Sequence, residues 1–549
     1  MIALDAPAMI APAFLPNAFV SPQNIATLRL ASAGFVSGVG DSPALAFYEP
    51  RILGEIEIGQ SAADALAVGG RVALTVSEIA LADADGFSAD LARFGGADGR
   101  AVRVLSLPVT DQRASDFGAS LASAAVPFIG VLRSIDRTGA FTARIALNDL
   151  TERMATPLQP TLYLGTGGQE GGAELKGRPK PVTLGQVFNI APVFLGNVDL
   201  GAGSLPTYQS HWRAIAGHDA IRIRGVSQVI ITSGTPTVGQ ALDLPALGMF
   251  QLGGAPDGDV TADLRGDTVP NYPNSTGGIL RRMLESLGGA FVTSEFDEDA
   301  WGFAEIDLPG IVGFHQGATA ISTLSAVEEL LSGSGAMLSG SRGGKLRLAD
   351  PLATDTAQFD LPSSCILACE PLALPVNFRP LPRAVAVRWQ RNHAPLSNIA
   401  GAVAAADRQR LGQQGSFARA ESAIITSRVA QQRDITFPAA YWNEADALAR
   451  AEKWRNILEA GPRMVRVTTD RLLGQVEIGH IGRITYPAFG FDNGFAGDTG
   501  VWLYQENMVT GSRRIIRIAR AGYQPCDFAW LNEKCLGSQV AREKMAEQR

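Results

Sequence analysis

The sequence predicts a mainly β chain with an α+β insertion: two β-barrel or sandwich domains flanking a small α+β domain. Three observations lead there. Glycine supplies 60 of 549 residues and proline 31; glycine stands well above its usual share of about 7%, which suits many short strands joined by tight turns. Apolar residues recur at period two through the first and last parts of the chain, the spacing of half-buried strands. Around residue 275 the period becomes helical.

The first strand set covers Arg51–Ile58, Arg71–Leu81, Val102–Leu107, Phe128–Ile135 and Phe141–Leu147. Asp85-Gly86, Asp98-Gly99 and Thr138-Gly139 punctuate it, and glycine accepts the positive φ of such turns at little cost. A glycine loop follows at 164–172, then Lys176-Gly-Arg-Pro-Lys-Pro181, and a second strand set runs from about 182 to 252, with Ile221–Arg224 and Val226–Thr232 among its strands. Ser275 or Thr276 can cap a helix whose Leu280, Met283, Leu284 and Leu287 share a face, with Gly288-Gly289 as its stop. Ser325-Ala-Val-Glu328 has a capping-box spacing and predicts a helix start there, the helix running to Gly333. Met337–Leu338 and Lys345–Leu348 flank a glycine-rich turn, the pattern of a hairpin.

From about 362 the β pattern returns. Val385, Val387 and Trp389 alternate in one strand, Val465 and Val467 in another. Val476, Ile478, Ile481 and Ile484 predict a third with a bulge at Gly479, and Ile515–Ile518 a last one. A helix interrupts, with Asn443 as cap, Ala447, Ala451, Trp454 and Leu458 as its face, and Gly461-Pro462 as stop. The domains predicted are an N-terminal segment and first β-barrel at 1–200, a strand-rich connection completing the first β region at 201–265, the α+β domain at 266–360, a second β-barrel with one inserted helix at 361–530, and a polar tail at 531–549.

Composition narrows the function classes. Hydrophobic residues make up 46% and charged residues 18%, against the low hydrophobicity and high charge of disordered chains. Apolar runs such as Val226–Ile231 fall far short of the about 20 residues needed to span a bilayer. The N-terminus lacks the basic region of a secretory signal, so synthesis in a cytoplasm is expected. A net charge of −7 without a basic patch argues against general nucleic-acid binding.

Catalytic patterns are weak. The histidines are His211, His218, His315, His393 and His480; only the first two are close in sequence, and no HExxH is present, so metal or acid–base chemistry is not expected of them. The 165–172 loop and Gly343-Gly344-Lys345 both lack the hydroxyl residue that a phosphate-binding P-loop places after its lysine. No strand–turn–helix Gly-x-Ser-x-Gly elbow is present. Asp297, Glu298 and Asp299 could serve a glycosidase, but adjacent acids read better as a solvated loop. Arg265-Gly-Asp267 is a three-residue chance match to an integrin-binding tripeptide. Cys365-x3-Cys369 and Cys526-x8-Cys535 open and close the last β region; the candidates are a zinc or iron–sulfur site through all four thiolates, a disulfide, or plain free thiols. No cofactor is assigned, and no enzyme activity is expected.

One family resemblance stands out. Gly258-Asp-Val-Thr-Ala-Asp-Leu-Arg-Gly-Asp267, the following Gly278-Ile-Leu-Arg-Arg-Met-Leu284, Leu175-Lys-Gly-Arg-Pro-Lys-Pro181 and Val187-Phe-Asn-Ile-Ala-Pro192 together resemble tail hub proteins of long non-contractile-tailed phages and prophages. Ala326-Val-Glu-Glu-Leu-Leu331 to Gly344-Lys-Leu-Arg-Leu348 is similar to the small α+β domain of such hubs. The segment 447–484, ending Val476-Glu-Ile-Gly-His-Ile-Gly-Arg-Ile484, is similar to their second barrel. The resemblance covers about residues 45–525. It implies a structural virion protein: a homotrimeric ring at the distal end of the tail tube, contacting the tube, the distal tail protein, the tape measure protein and the tail-tip fibre or receptor-binding proteins. It also implies that the ring closes or gates a channel through which DNA passes without specific binding. Some relatives carry an iron–sulfur cluster, which is why the four cysteines matter. A carbohydrate- or receptor-binding tail module is the alternative reading, and a cell-wall hydrolase the third.

Overall fold

The computed structural model describes residues 2–7, 25–54, 56, 58–61, 69–88, 99–107, 120–288, 291–353, 359–429, 433–469, 476–480, 482–486, 501–503, 508–510, 513–516 and 521–522. It is mainly β, with helices concentrated between 276 and 334 and between 405 and 459.

The period-two runs of the first region become a nine-stranded sheet. Its order is Phe35–Val36, Phe47–Pro50, Ile25–Ala31, Ile2–Pro7, Ala101–Ser106, Ala125–Arg137, Thr142–Asn148, Ile79–Ala82 and Ile52–Leu53. Alternation sets the faces: Val102 and Val104 are buried beneath the sheet beside Leu81, Phe128 and Ile145, while Ala101 and Arg103 point away. The Thr138-Gly139 turn closes the hairpin between Ala125–Arg137 and Thr142–Asn148, as its residues predict.

Residues 182–267 form two further sheets. One runs Val226–Ser227, Ile215–Ile223, Val260–Asp267, Val182–Ile190, Gly313–Gln316; the other runs Val193–Asp199, Ser204–Gln209, Met249–Leu252, Gln240–Leu244, Val229–Ile231. They share one core of Val187, Ile190, Tyr208, Ile221, Phe250 and Leu264, so this region is a sandwich. Among the described residues every strand order runs open at its ends, and none closes as a barrel. Strands Val193–Asp199 and Ser204–Gln209 pair across residue 200, and Gly313–Gln316 adds to Val182–Ile190, so pairing joins segments on both sides of the divisions read at 200 and 265.

In the α+β unit, Ser275 Oγ accepts from the Gly278 amide at 3.0 Å and starts the helix Thr276–Arg282, which widens into a π-turn to Leu287 before Gly288. The next two helices correct the sequence reading. Asp297-Glu298-Asp299 is no loop: Asp297 caps the helix Glu298–Asp307, and the two acids that follow lie in its first turn, where they favour the helix dipole. The helix Thr323–Ser334 begins two residues before Ser325 and is capped three residues before it, because Ser322 Oγ accepts from the Ser325 amide. The hairpin Met337–Gly340 and Leu346–Ala349 forms as expected, but its first strand pairs in parallel with Gly70–Val76 of the N-terminal region.

In the last region, Ala384–Trp389 lies between Ser416–Glu421 and Asp434–Tyr441. The helix Glu444–Glu459 covers them with the predicted face, its Trp454 stacked on Phe378 and Phe437. Arg463–Thr469 pairs with Ile366–Leu372, Val501–Leu503 and Arg513–Ile516. Val476–His480 is not a strand. Gly479 takes φ +93° in a turn, and pairing is confined to Gly482–Ile484 beside Phe359–Leu361. Residues 517–520 and the tail from 523 lie outside the described residues.

A buried ion pair joins the α+β unit to the last helix. Asp350 accepts from both terminal nitrogens of Arg450 and from Lys453 Nζ, each at 2.8 Å. Burial alone would raise the carboxyl, but Arg450 and Lys453 outweigh it and hold its pKa at about 2. Removing one partner of such a pair leaves an uncompensated charge. Asp350→Ala is therefore expected to cost about 3–5 kcal/mol in urea unfolding, whereas truncation of the exposed Asp257 should cost under about 0.5 kcal/mol.

Candidate functional site

Strand Val182–Ile190 is where the polar interior gathers. Its Thr183 is in register with His315, and it touches the buried Ser210 and His211 and the half-buried His315. The Thr183 amide donates to His211 Nδ1 at 2.9 Å, its hydroxyl donates to the Ser210 carbonyl at 2.7 Å, and the same oxygen lies 2.8 Å from His315 Nδ1. Since the hydroxyl proton is spent on Ser210, His315 carries its own proton on Nδ1. His211, accepting at Nδ1, presents its Nε2 proton towards Asp267 Oδ1, 3.6 Å away.

Asp267 is the hub of this cluster and is 0% exposed. Arg213 grips both carboxylate oxygens at 2.8 and 2.5 Å, the Val269 amide donates at 3.1 Å, and Arg282 reaches in from its helix. Burial opposes the charge, but His211 and Arg213 prevail and hold the carboxyl well below the usual range. Gly266 beside it is required by close approach, because a Cβ there would stand 2.3 Å from the Thr183 carbonyl. The integrin-like tripeptide is therefore closed to any partner: its acid is an interior ion.

On the opposite face of Thr183, His315 meets His393 edge-on at 5.5 Å. Further along the strand, Asn189 Nδ2 donates to Asn392 Oδ1 at 2.8 Å and to the Ala394 carbonyl at 2.7 Å, tying the sandwich to the last region. Four of the five histidines thus lie in or beside one network, although the sequence shows proximity only for His211 and His218. Their partners come from different strands, so no spacing motif could reveal them.

A second branch has the hydrogen-bond order of a Ser–His–Asp triad. Ser210 Oγ is 2.9 Å from His218 Nε2, and His218 Nδ1 is 2.7 Å from Asp243 Oδ1. Ser210 is 0% exposed. Its own amide and that of His211, the donors an oxyanion hole would need, both go to the Gly248 carbonyl. The arrangement pins the turn between two strands and is closed to a substrate in this conformation.

The glycine loop at 164–172 also turns its donors inward. Gly167 N donates to the Gly171 carbonyl at 2.7 Å, and the Glu170 carboxylate takes the Leu164 amide and Lys180 Nζ. Asp297, Asp299 and Asp307 line a cleft of about 230 Å³ opposite Arg347 and His480, with Phe303 at its mouth, 57% exposed. Asp297 is committed to its helix cap and to Arg347 at 3.4 Å, and Asp350 to the ion pair above.

Cys365 is buried in a turn, Cys369 is half-buried in the strand Ile366–Leu372, and both are free thiols. Burial, with Glu370 adding, pushes the Cys369 thiol up to about 11, so the free thiol is protonated and a poor nucleophile. Cys526 and Cys535 lie outside the described residues. Among the described residues no group of three or more His, Cys, Asp or Glu is placed to hold a metal ion, and no helix is long and apolar enough to cross a membrane.

No protein family matches the chain, and no curated protein matches it. Among solved structures it is similar to the 43 kDa tail protein of prophage MuSo2 from Shewanella oneidensis, at 11% identity over 86% of this chain and 96% of that one, with a TM-score of 0.34. It is also similar to a chain of the virion of a native gene transfer agent particle, at 11% identity over 64% of this chain and 87% of that one, with a TM-score of 0.35.

The half-buried imidazoles of His315 and His393 make stability depend on pH. Burial, with help from His211 and Arg391, lowers His315 from 6.5 to about 3, and burial lowers His393 well below its ordinary value. The unfolded chain binds these protons near pH 6.5 and the folded chain does not. Stability is thus complete above about pH 6.5 and drains away as pH falls towards 3. Unfolding free energy should drop between pH 6.5 and 4 as His315 takes up its proton, by at most about 3 kcal/mol and by less to the extent that solvent screens the half-buried ring. His315→Asn, which keeps a donor at the Nδ1 position, should flatten that slope.

Proposed function

We propose that this chain is a structural tail protein: a hub of long non-contractile tails that forms a trimeric ring at the distal end of the tail tube. In this reading it joins the tube and the distal tail protein to the tail-tip fibre, closes or gates the DNA channel, and carries no catalytic centre. It is made in the host cytoplasm and resides at the virion's distal tip.

The observation that carries the reading is where the hub-like segments lie. Leu175–Pro181 runs directly into Val182–Ile190, the strand that holds Val187–Ile190 and pairs with Val260–Asp267. The helix that follows is fixed to that second strand through Arg282 and Asp267. Segments far apart in sequence thus form one sheet and its adjoining helix. The Ala326–Leu331 segment lies in a helix that shares a core with the hairpin carrying Gly344–Leu348. Strands Val193–Asp199 and Val229–Ile231 end the second sandwich sheet, with Phe194 49% exposed, and such edges are routinely covered by a neighbouring subunit.

An acidic chain also suits a channel that must release DNA, since like charge prevents adhesion. The alternative of a saccharide-binding tail module draws on the acidic cleft with Phe303 at its mouth; glycan-array binding lost in Phe303→Ala would favour it.

Native mass spectrometry of the full chain tests the hub. A mass near three times 57.8 kDa, alone or on adding the distal tail protein, is the expected result. A monomer under both conditions would contradict the ring.

A further inference from the structure

The outward face of the nine-stranded sheet carries two arginines in one row. Ala3 on strand Ile2–Pro7 is in register with Arg29 on one neighbouring strand and with Arg103 on the other. Residues in register across adjacent strands project from the same face, so the two side chains rise from positions about 10 Å apart. Tyr48, on the strand beside Arg29, borders the same space as both arginines. A cavity of about 460 Å³ opens here, walled by both arginines and by the apolar side chains of Leu105, Leu121 and Val126. Asp41 also borders it, but its oxygens are committed to the loop: the Gly38 amide donates at 2.7 Å, the Leu121 amide at 2.9 Å and Ser120 Oγ at 2.8 Å. No salt bridge to Arg103 forms among the described residues.

The chemistry selects the ligand. One guanidinium fork saturates the two oxygens of a carboxylate, whereas the three terminal oxygens of a phosphate monoester can serve two forks. The cavity falls in the range of small-molecule sites, about 300–1,000 Å³, and exceeds what a bare phosphate fills. Its apolar wall asks for an organic substituent. We propose that this cavity binds an organic phosphate monoester, with the phosphate between Arg29 and Arg103 and its substituent against Leu105, Leu121 and Val126. The site is independent of the hub reading.

Isothermal titration calorimetry of the full chain with phenyl phosphate, inorganic phosphate and phenol tests it. Phenyl phosphate is expected to bind saturably, with inorganic phosphate roughly ten-fold weaker and phenol silent. Arg103→Ala, at an exposed side chain, should weaken phenyl phosphate at least about ten-fold without lowering Tm. Raising NaCl from about 50 to about 500 mM should weaken the wild-type chain, a readout that needs no variant. Glycerol 3-phosphate should displace phenyl phosphate, and phosphatidylglycerol vesicles, whose diester offers two terminal oxygens, should not. The proposal is overturned by absent binding, by equal affinity for inorganic phosphate, by an unchanged Arg103→Ala, by indifference to salt, or by equal competition from the vesicles.

Discussion

The carboxylate of Asp267 organises the centre of this protein. It lies at the end of the Val260–Asp267 strand with Arg213, Arg282 and His211 around it, and it is fully buried. An ion in that position is costly unless its partners are placed well, so its presence constrains everything that supplies a partner. Arg213 fixes the turn after Ser204–Gln209, Arg282 fixes the last turn of the Thr276–Arg282 helix, and His211 is held in its tautomer by the Thr183 amide. Sheet, turn and helix are thereby set by one group.

Strand Val182–Ile190 extends that constraint across the chain. Its edges pair with Val260–Asp267 and Gly313–Gln316, its Thr183 joins Ser210, His211 and His315, and its Asn189 reaches the 392–394 turn. With the Asp350–Arg450 pair binding the hairpin to the last helix, the sandwich, the α+β unit and the C-terminal sheet share buried polar contacts as well as apolar cores. Buried networks of this kind specify one arrangement when all members are satisfied.

Local signals were legible where one element explained its own residues. The face Ala447, Ala451, Trp454, Leu458 and its Gly461 stop, the alternation of Val385, Val387 and Trp389, and the Ser275 cap all read correctly because period and cap chemistry are local. The acids at 297–299 were misread as a loop, since an N-capped helix start and a solvated turn share the same residues, and the helix that follows has a weak apolar face. Val476 and Ile478 are strand-like apolar residues that instead bury beside a turn at Gly479. The parallel pairing of Met337–Gly340 with Gly70–Val76, the gathering of His211, His218, His315 and His393, and the two arginines on the outer sheet all depend on register between distant strands, which spacing does not encode.

The most direct test of this account is equilibrium unfolding of Asp267→Asn, followed in urea by tryptophan fluorescence, with Trp212 beside the cluster. The near-isosteric amide leaves the buried Arg282 and the part-buried Arg213 without their counter-charge. The account predicts a loss of about 3–5 kcal/mol, with the sandwich, the α+β unit and the C-terminal sheet weakened together in one earlier transition. A loss below about 1 kcal/mol, the range of an exposed pair, would contradict it.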